Sequence, residues 1–358
     1  MHQRIIGFDL ARAYAIFGMF IVNFNFCFGS FMDNTAMGRF LNLFVGNSTA
    51  IFIILAGMGV SLMSNRSNYS ELEKKKLKSI ILKRSWFLVA LGLLLFSWWP
   101  GDILHFYGAY MHIAAFFLFV PKKYYLWLGA FAIAGFHVLL QIIPIDTSWN
   151  FDTFQYADFW TLQGFLRNTI YNGWNSIFPW LCYFMIGMFL GRLDWQKKST
   201  KKNVFLIGLL LFTVFEAIRF YTNHYVTDEY WTHYIMSEYF PAYIPFMMIT
   251  IGFALIVIPI CMVIGEKLPS NKIINALVKT GQMTLSFYII HITIGMLIFS
   301  KLTGQIYTGY LTQQAPSSPL FIFSFACMFY LICVLFAIVW TKKFTHGPLE
   351  TIMRKISN

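Results

Sequence analysis

Charged side chains are scarce in this sequence. Only 12% of its 358 residues are Asp, Glu, Lys or Arg, about half the share usual in a soluble domain. With 58% hydrophobic residues, 40 of them Phe, so little charge excludes an ordinary soluble globule. Cysteine is also sparse. The five (Cys27, Cys182, Cys261, Cys327, Cys333) are scattered through apolar stretches and form no CxxC pair, so they read as small buried hydrophobes rather than disulfides or a metal site. There is no Walker A loop, no dinucleotide-binding glycine motif and no HExxH zinc motif. No small-residue cleavage signal follows the first apolar run, which carries Asp9 and Arg12 itself, so it is expected to stay as the first helix.

What is present is a series of long apolar segments. A helix needs about 20 residues to cross the hydrocarbon core. Ten candidates fit, at 8–30, 42–63, 84–99, 103–120, 126–143, 173–191, 203–221, 239–263, 278–300 and 319–341. The expected fold is all-α, a polytopic integral membrane protein of about ten helices in a single domain over 1–358. The third and fourth segments are short and joined by "WWPGD" (98–102), a tight interfacial turn.

The net charge of +12 comes from bases in the connections. Loop 64–84 holds Arg66, Lys74, Lys75, Lys76, Lys78, Lys83 and Arg84. Loop 121–125 holds Lys122 and Lys123. Loop 192–202 holds Arg192, Lys197, Lys198, Lys201 and Lys202, and Lys342 and Lys343 follow the last segment. Ten spans put all of these on one side, with Asp146, Asp152, Asp158, Asp228, Glu229 and Glu238 on the other. The positive-inside rule then makes both termini cytoplasmic. Membrane lipids, not nucleic acid, are the expected partners of the bases; loop 64–84 also suits a phosphorylated cytosolic substrate. The longest outer loop, 144–172, and a second at 222–238 are rich in Tyr, Trp and Asn, which suits sugar stacking or an ordinary aromatic belt.

Ionisable residues inside lipid are costly and face a bundle interior or a cavity. Asp9 and Arg12 lie three apart on one helix face, with Asn23 three turns further on. They are either a structural ion pair and an interhelical hydrogen bond, or an entry for an anionic ligand. Asp102, His105, Ala109 and His112 form a second stripe. A carboxylate one turn from an imidazole can fix its tautomer and raise its basicity, or serve a purely structural bond. No metal is expected from this spacing. His291, with Thr284, Tyr288 and Thr293 near it, sits in the ninth segment, as a second catalytic group or as packing glue. Glu216 and Arg219 form a possible self-satisfied pair or part of a proton path. "IFPWLCYFMIGMFLGRL" (177–193) and "IFIILAGMGVSL" carry Gly187, Gly191, Gly57 and Gly59, suited to close helix contact.

Asp9, Arg12 and Asn23 in "FDLARAYAIFGMFIVNF" resemble the opening motif of the transmembrane acyltransferase superfamily. "GDILHFYGAYMHI", "IFPWLCYFMIGMFLGRL" and "GQMTLSFYIIHITIG" resemble its later blocks, in order. The nearest branches are the bacterial DUF418 and DUF1624 families and the heparan-alpha-glucosaminide N-acetyltransferase-like proteins. The resemblance implies a multi-pass protein of the bacterial cytoplasmic membrane. It would transfer an acyl group, acetyl first, from cytosolic acyl-CoA to a hydroxyl or amine of an extracytoplasmic carbohydrate or envelope glycan.

Arg12 and Asp9 would then lie at the donor site, Arg12 meeting the donor, with Asn23 and Tyr288 polarising its thioester. His105 oriented by Asp102 would be the base, with His291 the runner-up and His112 a further candidate. Two departures stand out. Ala13 replaces a glycine, and the outer loop 29–40, where the glucosaminide acetyltransferases carry their histidine, has none. Asp33 in that loop is the remaining candidate base. A different class, a transporter or lipid- or small-molecule-binding membrane protein, would use the same buried charges for a permeation path.

Overall fold

The computed structural model describes residues 5–65, 68–307, 311 and 314–357. Arg66 of the basic loop lies outside them. In chain order the helices are α1 (Ile6–Phe28), α2 (Ala36–Asn42), α3 (Asn47–Met63), α4 (Glu71–Phe96), α5 (Leu104–Phe116) and α6 (Lys123–Leu140). A two-stranded antiparallel hairpin follows, β1 (Trp149–Asn150) with β2 (Gln155–Tyr156). After it come α7 (Leu162–Arg167), α8 (Ile177–Leu190), α9 (Lys198–Tyr225), α10 (Glu229–Met236), α11 (Ile244–Lys267) and α12 (Lys272–Gly281). The last four are α13 (Thr284–Ile290), α14 (Met296–Thr303), α15 (Pro319–Trp340) and α16 (Pro348–Ser357).

Among the described residues, eight helical runs are long and apolar enough to span a membrane, which makes this an all-α polytopic membrane protein. The other two expected segments are shorter than the sequence suggested. For 103–120 the helix is α5, of 13 residues, and for 173–191 it is α8, of 14. Asp102 caps the first, and Phe178–Pro179 interrupts the second with a non-helical residue. The connection read as loop 64–84 also changes. From Glu71 onward it is helical, because Ser70 and Glu73 form a reciprocal capping box that starts α4 there. Lys74 to Arg84 therefore ride on a helix.

The chain divides into two compact units. The first comprises 1–52, 194–307 and 314–351. Here α1 runs against α11, α12 and α15. Most of the span in α1 is buried, 61%, against 11% for α9, so α1 is a central helix and α9 presents Leu206, Ile207 and Leu210 to lipid. Small residues set the closest approaches. A Cβ on Gly281 would overlap the Asp9 carbonyl, and one on Gly7 would overlap the Met262 backbone. Phe20, Phe24, Phe299, Phe325 and Phe329 interlock between α1, α14 and α15.

The second unit comprises 53–193, 308–313 and 352–358. Its α4 pairs with α5, and α6 with α8. Gly57 and Gly187 interlock α3 with α8: a Cβ on either would strike the Phe184 or Ile54 carbonyl. The 144–172 segment is a folded module. The Asn172 amide donates to the carbonyls of Ile145 and Thr147, while its own oxygen accepts from Tyr156. Arg167 donates to both Asp158 oxygens, to Ser148 and to the Tyr156 hydroxyl.

Candidate functional site

In the first unit, Arg12 Nη1 donates to Asp9 Oδ1 at 2.8 Å, with side-chain exposures of 26% and 2%. The Asp9 carboxylate in the first turn of α1 suits the positive end of the helix. Arg12 is thus held in place yet still reachable.

The structure joins two residues that the sequence presented separately. Asn23 Nδ2 lies 2.9 Å from His291 Nε2, across 268 positions of chain. His291 Nδ1 faces the Phe287 carbonyl at 3.2 Å. A carbonyl only accepts, so Nδ1 carries the proton and Nε2 is left as the acceptor of the Asn23 amide. His291 opens a π-helical turn, His291–Gly295, between α13 and α14. Such turns displace one residue of the helical ladder and re-aim a side chain. The imidazole is fully buried, with the Phe20 ring 4.8 Å away and Tyr288 edge-on at 5.2 Å. Tyr307, absent from the sequence reading, is buried near Cys27 and Tyr288, and burial pushes its phenol up. Its place beyond the last helical turn of α14 gave no periodic signal.

Glu350 was also missed. This half-buried carboxylate of α16 accepts from the backbone amides of Leu285 and Ser286 and from the Ser286 hydroxyl, at 2.8, 3.2 and 2.6 Å. It closes the start of α13, seven residues of helix that end at His291. An acid in an otherwise amphipathic tail was the only sequence hint.

In the second unit, His105 Nδ1 is 3.3 Å from Asp102 Oδ2, so the expected pair forms. That same oxygen also accepts from the Leu104 and His105 amides, capping α5. The pair is 1% and 0% exposed, and the rings of Phe96, Phe106 and Phe159 surround the imidazole. His112 lies two turns further along α5 and, like His105, meets α4. It sits with Nδ1 3.4 Å from the Ser85 hydroxyl and edge-on to Trp86. Gly108 makes a close backbone approach to α4 through Ser85 and Val89.

Two other expectations change. Asp33 accepts from the Thr35 hydroxyl and amide, and these bonds hold its carboxyl below the ordinary value, which makes it a weaker base. Arg219 donates to the Met236 carbonyl at the end of α10, and no ion pair joins it to Glu216 among the described residues. Lys74, Lys122 and Arg192 line a cavity of about 690 Å³ in the second unit with Tyr69 and Phe119. Its charges are largely spoken for. Lys74 pairs with Glu71, and Arg192 donates to the Ser64 and Leu118 carbonyls.

Comparison with known families adds two matches. A model described as heparan-alpha-glucosaminide N-acetyltransferase, catalytic, matches residues 4–226. A model described as a protein of unknown function, DUF418, matches residues 190–358. The first covers Asp9, Arg12, Asn23, Asp102, His105 and His112; Tyr288 and His291 fall in the second. No curated protein and no solved structure matches the chain.

Proposed function

The chain belongs to the heparan-alpha-glucosaminide N-acetyltransferase catalytic family, and on that premise we propose that it is a membrane acyltransferase of the bacterial cytoplasmic membrane. It takes an acetyl, or another acyl, group from cytosolic acyl-CoA and delivers it to a hydroxyl or amine of an extracytoplasmic carbohydrate or envelope glycan. The observation that carries this reading is the Asn23–His291 pair, a neutral imidazole whose basic nitrogen is aimed at an amide.

His291 supports the role of base better than His105. Its Nε2 partner, Asn23, is only half-buried, whereas His105 is walled in by phenyl rings and shares its carboxylate with a helix cap. Asp102 and His105 are then positioning groups for α5, and His112 packs against Ser85 and Trp86 of α4.

The acceptor gives its O–H or N–H proton to His291 Nε2 as its oxygen or nitrogen attacks the thioester carbonyl. Asn23 and Tyr288 donate to the developing oxyanion. The C–S bond breaks, and the imidazolium returns the proton to the departing CoA thiolate. Arg12, held by Asp9, meets phosphate or pantetheine oxygens of the donor. Arg12 and Asn23 are about 16 Å apart along one helix axis, a distance an extended pantetheine arm bridges.

The test is purified protein with radiolabelled acetyl-CoA and a panel of amino sugars and glycans, following label transfer and CoA release. Wild type should transfer acetyl. His291→Ala should lower kcat about 10² to 10⁴-fold, while His105→Ala should mainly lower the melting temperature. Absence of transfer, CoA release and calorimetric CoA binding in folded protein would count against the enzyme reading. An active His291→Ala beside an inactive, folded His105→Ala would move the base to His105.

A further inference from the structure

We propose that the first unit carries a binding site for the headgroup of an anionic phospholipid, built from Lys279, Lys342 and Lys343. These lysines line one cavity of about 550 Å³ together with Asn275, Gln282, Thr341 and Phe344. No carboxylate lies within ion-pair distance of the three ammonium groups among the described residues. Like charges gathered around one cavity repel unless an anion is present. The side-chain amides of Asn275 and Gln282 add hydrogen-bond donors of the kind a phosphodiester accepts, while the Thr341 hydroxyl already donates to the Ala337 carbonyl.

The depth of the cavity selects a lipid over a soluble phosphate. It lies just past Trp340, the last residue of the α15 span. Trp340 stacks on Phe344 at 4.3 Å and donates its indole N–H to the His346 carbonyl. A tryptophan at a span end marks the headgroup level. Phe344, 49% exposed beside the lysines, puts an apolar ring where acyl chains meet headgroups. Basic pockets beside span ends are a recurrent form of lipid recognition. The contrast with the 690 Å³ cavity is informative, since there Glu71 and main-chain carbonyls already engage the bases.

The site also touches the machinery. Gln282 belongs to the short link between α12 and α13, and its neighbour Gly281 is pressed against Asp9. A bound headgroup would brace the link that leads to Tyr288 and His291.

Delipidated full-length protein in mild detergent provides the test, by thermal denaturation during titration with phosphatidylglycerol, phosphatidylcholine, CoA or inorganic phosphate. Phosphatidylglycerol should raise the midpoint and phosphatidylcholine should not. In a Lys279→Gln/Lys342→Gln/Lys343→Gln variant the phosphatidylglycerol concentration required should rise about a hundredfold, at roughly fivefold per lysine. A Lys75→Gln/Lys76→Gln/Lys198→Gln variant, with the same loss of charge elsewhere, should respond as wild type. Native mass spectrometry of co-purified phospholipid on the single Lys342→Gln variant gives a second reading that does not depend on the triple variant folding well; reduced retention of anionic lipid is expected. Equal effects of the two lipids, or equal responses of the two triple variants, would overturn the proposal. So would stabilisation by CoA or phosphate through these lysines without a phosphatidylglycerol effect, which would make this a site for soluble phosphate compounds.

Discussion

The Phe287 carbonyl fixes which nitrogen of His291 is free to take a proton, and Asn23 faces that nitrogen. The Phe287 carbonyl accepts the hydrogen bond from Nδ1–H, and the Asn23 amide donates to the Nε2 lone pair until a substrate competes for it. Asn23→Ala should therefore lower kcat by about 10²-fold, the usual cost of one oxyanion donor. Steady-state acetyl transfer by protein with a near-native melting temperature would check this. At this scale Asp9 and Arg12 were readable, because i,i+3 spacing on a helix fixes a contact within one turn. The same spacing gave Asp102 and His105. It failed for Glu216 and Arg219, where a main-chain carbonyl wins the guanidinium. Spacing states which neighbours are possible within a helix, and packing against other helices selects among them.

A single carboxylate from one helix closes the start of another. Glu350 of α16 takes the orphan amides at the start of α13, and so anchors the short helix that presents Tyr288 and His291. Burial pushes the Glu350 carboxyl up, and the bonds from Ser286 and the backbone amides offset this only in part. With the folded value above the unfolded one, the folded protein keeps this proton to higher pH than the unfolded chain. The contribution of this group to stability is fully present below the ordinary glutamate range and is lost as pH rises through the raised value. Glu350→Gln preserves the shape and should flatten that slope, as melting temperatures measured across mildly acidic to neutral pH would reveal. Element limits in the sequence were good where composition changes sharply. The 319–341 segment became Pro319–Trp340, and Pro at its first turn supports that start. They were poor at 278–300, where the chain breaks into α13, a π-helical turn and α14. Apolarity is uniform across that stretch, so nothing in the sequence marks where the helical register slips.

The whole molecule is governed by where its few charges lie. With 27 basic against 15 acidic residues, the bias of bases to one set of connections sets the expected orientation. A reporter enzyme that works only outside the cytoplasm should be active when inserted at Asp152 and inactive at Ser199; the reverse pattern would invert the topology. A membrane protein with a run of apolar helices was determined by the sequence alone, since 58% hydrophobic composition has no other means of being covered. The opening Asp-Arg-Asn motif and the later blocks also carried the family. The tertiary structure decided which buried polar groups meet. Asn23 finds His291, Glu350 finds the start of α13, and Lys279 finds Lys342 and Lys343 around one cavity. These meetings join residues far apart in the chain. Each depends on helix approach distances set by small residues such as Gly281 and Gly7, and a hydropathy pattern, which records only how apolar each turn is, holds no information on which turns touch.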